Sequence, residues 1–498
     1  MTLPLLLSFI FSVLIGFLVT SLAWPSTRSG ALHLPVRFSL ALGMGQGVTS
    51  CVFFLWLMTF GRPDRKLIAA EAVVVAALLA GSVYRAKRKG RTAAPVSEPN
   101  ALCKGTPEKL RYGWLLAVAF YVTLVSTALS VTTALMRAPS GWSDAVAIWN
   151  FRARCIFRDG IHWRDHFSSQ PIPLLLDYPL LLPTSVVRGW TYAGGETAGA
   201  PAALSLLFTL GMAGLICSAV TALRGKSQGY LAGVVLMGCS HLIVDAESLG
   251  ADLPLAFFFT ATAVLITFQL ELSGGNHGML ALAGMAAGFS AWTKNEGLLF
   301  ILSVTAAYLA AASSGSGLKV RLRQLLFFAA GLLPVLIIVV YFKARLAPPN
   351  ELASAMMSQK AVDKLLDYHR YVTVLRGFKD RILLYYGRGV NLAYLLPIYL
   401  VCAGAALRPV WKRSAVFMAI WICLMLAGYS LSYLMTPYDL TWHINTSMDR
   451  LLLHLWPAVV FLFFLTAATP EEMLKGRGDP AGGAGRTHRT DEIQDTPA

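Results

Sequence analysis

Charge is scarce in this chain. Of its 498 residues only 14% are Asp, Glu, Lys or Arg, against roughly 25% in an average soluble domain. So few charges exclude a soluble globular enzyme and a solvated, disordered chain. Cysteine is scarce too, with seven residues and no Cys-x-x-Cys pair. Cys51, Cys217, Cys239, Cys402 and Cys423 lie in apolar runs, where they read as small core residues and not as a disulfide framework or zinc site. A Gly-x-x-x-x-Gly-Lys-Ser/Thr loop is missing, so nothing supports ATP-driven transport within the chain. No central run of charged residues marks a proton relay or voltage sensor.

What is present is apolar: 56% of the residues, with a mean hydropathy of +0.59. About 12 or 13 stretches approach the roughly 20 apolar residues that cross a bilayer. They fall near 3–24, 39–60, 67–84, 112–136, 200–222, 229–245, 252–272, 278–293, 297–312, 325–345, 389–407, 414–435 and 451–468. The fold class expected is an all-α polytopic membrane protein, since a barrel would alternate over segments of about 10 residues. The first stretch lacks a basic flank and reads as an anchor, not a signal peptide.

The 42 basic residues outnumber the 26 acidic ones, a net charge of +16. In a membrane protein this is the positive-inside excess, not a nucleic-acid footprint. Residues 85–111 hold Arg85, Lys87, Arg88, Lys89, Arg91, Lys104, Lys109 and Arg111 and are expected to form a cytoplasmic linker. Alternation from there puts Arg224/Lys226, Lys319/Arg321/Arg323 and Arg408/Lys412/Arg413 on the same side. The organisation expected is a three-helix membrane extension (1–84), the basic linker (85–111), a catalytic membrane domain (112–468) and a disordered cytoplasmic tail (469–498). Arg62, Arg65 and Lys66 fit this topology least well, because they would face outward.

The outer loops follow by subtraction, the longest over about 137–199. Residues 179–194 are apolar but broken by Pro183 and Arg188, and are expected to form a helix lying at the membrane interface. Acids at a membrane edge are costly and call for a reason. Asp144 stands in Gly141-Trp142-Ser143-Asp144, and Asp252 in Gly250-Ala251-Asp252-Leu253-Pro254. Asp252 can equally cap its own helix, and Glu247 competes with it in the same loop. Lys294 and Glu296, in Trp292-Thr293-Lys294-Asn295-Glu296-Gly297, read either as a self-satisfied turn or as a cation held to grip a lipid-linked phosphate. Arg450 carries the same two-sided reading, with snorkelling as its alternative. Trp142, Trp149, Trp163 and Trp190 read as an interfacial belt or as stacking platforms. His162, Asp165 and His166 are close in sequence, but no His-x-x-x-His helix pattern with an acid base accompanies them, which leaves a metal site there unsupported. The loop 347–388, with Lys360, Lys364, His369, Arg370 and Lys379, is a candidate acceptor entrance.

Over residues 112–468 these pieces together resemble the GT-C integral-membrane glycosyltransferases. The nearest likeness is to the bacterial branch with lipopolysaccharide-core glycosyltransferases of the Rgt type; aminoarabinose transferases and protein O-mannosyltransferases are more distant. The resemblance rests on Trp142-Ser143-Asp144 with Trp149-Asn150 and Arg152/Arg154, on Asp177-Tyr178-Pro179 with Pro183, on Gly250 to Pro254, on Thr293 to Gly297 and on Ser447 to Arg450. It implies a GT-C-like bundle whose outer first loop carries interfacial helices. It implies catalytic acids at Asp144 and Asp252, with Lys294, Glu296, Arg450, Trp142, Trp149, Arg152, Tyr178 and Glu247 binding substrate. The donor implied is a polyprenyl-phosphate sugar, and the acceptor a glycolipid, polysaccharide or protein at the periplasmic face of a bacterial inner membrane. No cofactor is required by this pattern. A divalent metal lacks its usual paired acids here, since Ser143 and Ala145 flank Asp144.

The chemistry expected is a single displacement, in which a carboxylate takes the acceptor's proton and fixed cations stabilise the departing lipid phosphate. Two other readings stand beside it: a transporter or flippase for a lipid-linked saccharide, which would keep charges near the midplane, and a surface-polysaccharide polymerase or ligase.

Overall fold

The computed structural model describes residues 2–24, 33–89, 113–142, 144–167, 175–272, 277–312, 317–384, 392–405 and 412–477. Most of the basic linker and most of the tail expected from the sequence lie outside the described residues. The chain begins with α1 (Leu3–Ala23), α2 (Leu34–Phe60), α3 (Lys66–Lys89) and α4 (Gly113–Arg137). Two short helices, α5 (Asn150–Arg158) and α6 (Leu181–Ala193), belong to the first long loop. Then follow α7 (Gly199–Arg224), α8 (Lys226–Met237), α9 (Ser240–Ser248), α10 (Asp252–Leu272), α11 (Gly278–Thr293), α12 (Glu296–Ala312) and α13 (Leu318–Arg345). The last group is α14 (Glu351–Met356), α15 (Gln359–Lys364), α16 (Tyr368–Leu384), α17 (Leu392–Ala403), α18 (Lys412–Leu434), α19 (Leu440–Thr466) and α20 (Pro470–Arg477). Among the described residues no strand forms, only an isolated bridge between Ala405 and Ala467.

Nine of the described helices are long and apolar enough to cross a membrane, and α8 with α9, bent by 62°, make a tenth if taken as one broken span. The protein is therefore a polytopic helical membrane protein. The count is lower than the 12 or so stretches read from the sequence. The stretches at 278–293, 297–312 and 389–407 become helices of 16, 17 and 12 residues. The first two match the bounds read from the sequence, and all three helices fall short of the roughly 20 residues that cross a bilayer.

The centre of the molecule is α10, 94% buried over its apolar window and flanked by α7, α11, α18 and α19. The first three helices join the same interior, since Leu5, Phe9, Leu40, Phe54 and Leu67 share one continuous core with Phe257, Trp292 and Phe461. The Arg62–Lys66 turn lies at the same end as the long loop: Arg65 reaches the carbonyl of Ala193, and Arg164 that of Met58.

The helix at 181–193 corrects an expectation. From Leu181 to Tyr192 every residue is buried, so α6 is a packed core element and not one lying exposed at an interface. Its polar residues explain this. Ser50 of α2 meets Thr184 at 2.7 Å and receives the indole N–H of Trp292 at 2.9 Å. Arg188 donates to both oxygens of Glu71 on α3, at 2.7 and 2.6 Å, and to the Ser8 carbonyl of α1 at 2.9 Å. A buried arginine is tolerated when all its charge is matched.

The start of the tail, within the described residues, is more ordered than expected. Residues 470–477 are helical, started by a capping box: Glu472 N–H donates to Thr469 Oγ1 and Glu472 Oε2 accepts from Thr469 N–H, satisfying two free donors reciprocally. In the loop 347–388, Lys364 and Arg370 donate to the carbonyls of Thr436, Leu434 and Tyr433. They cap the carboxyl end of α18, where cations are favoured.

Candidate active site

Four separated stretches meet at one end of the bundle. The α4 helix ends at Arg137, and Gly141 turns the chain with φ +75°. There the Trp142 N–H donates to the Ser248 carbonyl at 3.3 Å. A Cβ at residue 141 would lie 2.7 Å from both that carbonyl and the Ala145 side chain, so the turn needs glycine in conformation and in space. Asp144 follows, at the head of a π-helical turn over Ala145–Trp149, a form concentrated at functional sites. We expect Gly141→Ala to cost about 1–3 kcal/mol, the scale of a strained backbone position, read as a lower unfolding midpoint in detergent.

Asp252 opens α10, yet it does not cap it. The free N–H of Leu253 is taken instead by Asp245 Oδ2 at 2.7 Å, from the preceding helix. Asp252 is thereby released from its own helix and faces three basic groups. Lys294 Nζ lies 2.6 Å from Oδ1, His454 Nε2 2.7 Å from Oδ1, and Arg450 Nε 2.7 Å from Oδ2. Arg450 and His454 are four residues apart and share one face of α19. Arg450 also reaches Asp144, with NH1 2.8 Å from Oδ2. The α11–α12 turn presents Lys294, which pairs with Glu296 at 3.1 Å. Gly297 keeps that turn tight, since a Cβ there would lie 2.2 Å from the Ser290 carbonyl carbon.

Burial separates the two acids. Asp252, Lys294 and His454 are enclosed, whereas the side chains of Asp144 and Arg450 are 37% and 36% exposed. Burial works against the charge on Lys294, but Asp252 and Glu296 outweigh it and hold the ammonium above the ordinary lysine range. Tyr178 forms a wall: its ring lies 5.6 Å from Lys294 Nζ and stacks on Trp149, 5.6 Å between centroids. Burial pushes the Tyr178 phenol up, so it serves as a neutral ring. Behind it, Asp177 accepts from Asn295 at 2.7 Å and from Asn350, while Lys343 bridges Asp177 and Asn295. This brace fixes the Lys294 turn to the end of α13.

The expected residues thus divide. Asp144, Asp252, Lys294, Glu296, Arg450 and Tyr178 form one cluster, with Trp149 as its backing. Glu247 accepts instead from Ser130 on α4 at 2.6 Å. Arg152 is buried, donates to the Leu176 carbonyl at 3.1 Å and lies over the Phe167 ring, so it supports the loop. Trp142 is 64% exposed, whereas Trp149, Trp163 and Trp190 are buried; those three are packing residues and not a surface belt. His454 and Asp245 were missed. The signal for His454 was its spacing from Arg450, and for Asp245 a second acid just upstream of Asp252. Tyr429 extends the network, with its hydroxyl 3.2 Å from His454 Nδ1.

Among the described residues no group of three or more His, Cys, Asp or Glu side chains is arranged to hold a metal ion. Chemically, the cluster holds one enclosed carboxylate saturated by cations, a second carboxylate, Glu296, paired with Lys294, a half-open carboxylate with a single arginine partner, and an arginine at the mouth. Compared with protein-family models, with curated proteins and with solved structures, the chain gives no match.

Proposed function

We propose that the protein is a membrane glycosyltransferase that moves a sugar from a polyprenyl-phosphate donor to a lipid, saccharide or protein acceptor at the periplasmic face. One observation carries this reading: Asp144, Asp252, Lys294 and Arg450, from stretches far apart in sequence, converge at one end of the bundle. A transporter would instead hold such groups near the midplane.

In this reading Asp144 is the base, because it is the accessible acid. Asp252 is a positioning residue, since its oxygens are already engaged by Lys294, Arg450 and His454. The acceptor's O–H bond breaks and its proton passes to Asp144. The oxygen forms a bond to the anomeric carbon, while the bond from that carbon to the phosphate oxygen breaks and leaves its electron pair on phosphate. Arg450 has N–H donors beyond the two engaged here, and with Lys294 it stabilises that charge. One displacement inverts the anomeric centre. Binding of the donor is expected to need these two cations and no cofactor.

The test is sugar transfer by membranes carrying wild-type protein or Asp144→Asn at matched expression, with a labelled polyprenyl-phosphate sugar pool. Loss of about 100-fold or more is expected for removal of a positioned base. Normal transfer by Asp144→Asn rejects the assignment of the base. Wild-type membranes that move the lipid across the bilayer but transfer no sugar reject the enzyme reading.

A further inference from the structure

Beside the charged cluster lies a separate cleft of about 190 Å³, bordered by Ser140, Asn150, Arg154, Trp190, Glu196 and Pro201. It is formed by the turn after α4, the start of α5, the end of α6 and the start of α7. Nothing in the reaction described above uses it.

Its polar groups are left open in a particular pattern. Asn150 is 3% exposed. Its amide nitrogen donates to the Ser140 carbonyl at 3.0 Å, and its amide oxygen is an acceptor with two lone pairs. Arg158 takes both oxygens of Glu196, at 2.5 and 2.9 Å. Arg154 therefore stands 3.8 Å from Glu196, an ion pair without a hydrogen bond. Its N–H groups remain available at the cleft, as does residual acceptor capacity on the Glu196 carboxylate. Pro201 and the buried Trp190 supply apolar wall.

Donors and acceptors side by side suit a ligand whose groups each give and take a hydrogen bond, which hydroxyls do. An anionic ligand meets the Glu196 carboxylate, and a cationic one meets two arginines. A neutral polyhydroxyl ring meets neither cost, and its C–H faces can rest on the apolar wall. The volume is below the roughly 300–1,000 Å³ of pockets for drug-sized ligands, which favours one ring. Ser140 and Asn150 also bracket the segment that carries Asp144.

We propose that this cleft is a subsite for a neutral saccharide ring of the acceptor. The proposal rests on the glycosyltransferase reading for the word acceptor, but the site itself is testable alone. Full-length protein in detergent micelles is probed by saturation-transfer NMR with millimolar methyl glycosides of glucose, galactose, mannose and N-acetylglucosamine, and with a methyl glucuronide. At least one neutral glycoside is expected to bind, and the glucuronide is not. Glu196→Gln should weaken that binding about 10-fold, as loss of a hydrogen bond to a charged group does. Ala198→Trp, which fills the cleft from an exposed rim position, should abolish it. Absence of binding by every neutral glycoside, equal binding of the glucuronide, or binding that survives both substitutions overturns the subsite. If binding behaves as expected while wild-type membranes transfer no sugar, the cleft stands as a saccharide site and the transferase reading falls.

Discussion

Replacing Asp252 with alanine is expected to destabilise the protein by about 3–5 kcal/mol, the usual result of leaving a buried ion pair without one partner. The reason is the number of groups that depend on it. Lys294, Arg450 and His454 all address its two oxygens, and Lys294 and His454 are enclosed on every side. Glu296 still faces Lys294 and Asp144 still faces Arg450, so the collapse is partial. The double substitution Asp252→Leu with Lys294→Met should recover part of the loss, because removing both charges leaves less unmatched than removing one. Thermal unfolding in detergent measures both. A single variant that melts with wild-type would show that the cluster does not depend on Asp252. Read beside Asp144→Asn, which removes no enclosed charge and should melt normally, this pair separates the acid that holds the cluster together from the acid proposed as the base.

The second large effect is expected outside that cluster, at Glu71. Its oxygens receive Arg188 at 2.7 and 2.6 Å and the Tyr192 hydroxyl at 2.5 Å, and both members of the ion pair are 1% exposed. Glu71→Ala leaves the guanidinium enclosed with the Ser8 carbonyl and the Tyr192 ring but no counter-charge, so a loss of about 3–5 kcal/mol follows here too. Glu71→Gln keeps the shape and a hydrogen-bond acceptor, and should lose less than the alanine variant. An unfolding midpoint for Glu71→Ala within a degree or so of wild-type contradicts this account. Because Arg188 sits on α6, between α3 and the loop that bears Tyr178, this pair joins the first helices to the wall of the candidate site.

Several features are legible in the sequence alone. Long apolar runs dictate spanning helices, and the isolated acids Asp144 and Asp252 stood out because an acid at a membrane edge is costly. Lys294 and Arg450 stood out for the same reason. The pairing itself was not legible. His454 meets Asp252 across 202 residues of chain, and a lone histidine in an apolar run carries no sign of its partner. In sequence Asp252 reads equally as its own helix cap, whereas in the fold Asp245 takes that role. The helix at 181–193 looked interfacial because Arg188 interrupts its apolar run, and only the tertiary partner Glu71 shows why that arginine lies inside.

The α11 helix has a consequence for the lipid around the protein. Its 16 residues rise about 24 Å at 1.5 Å each, some 6 Å short of a hydrocarbon layer about 30 Å thick. The α12 helix, with 17 residues, is scarcely longer. If both cross the layer upright, the Lys294 turn sits below the plane of the headgroups unless the bilayer thins to meet it. The protein then holds a local depression in the membrane at the mouth of its charged cluster. Acyl-chain length becomes a variable of how the protein sits in its membrane, with thinner bilayers matching it better than thick ones.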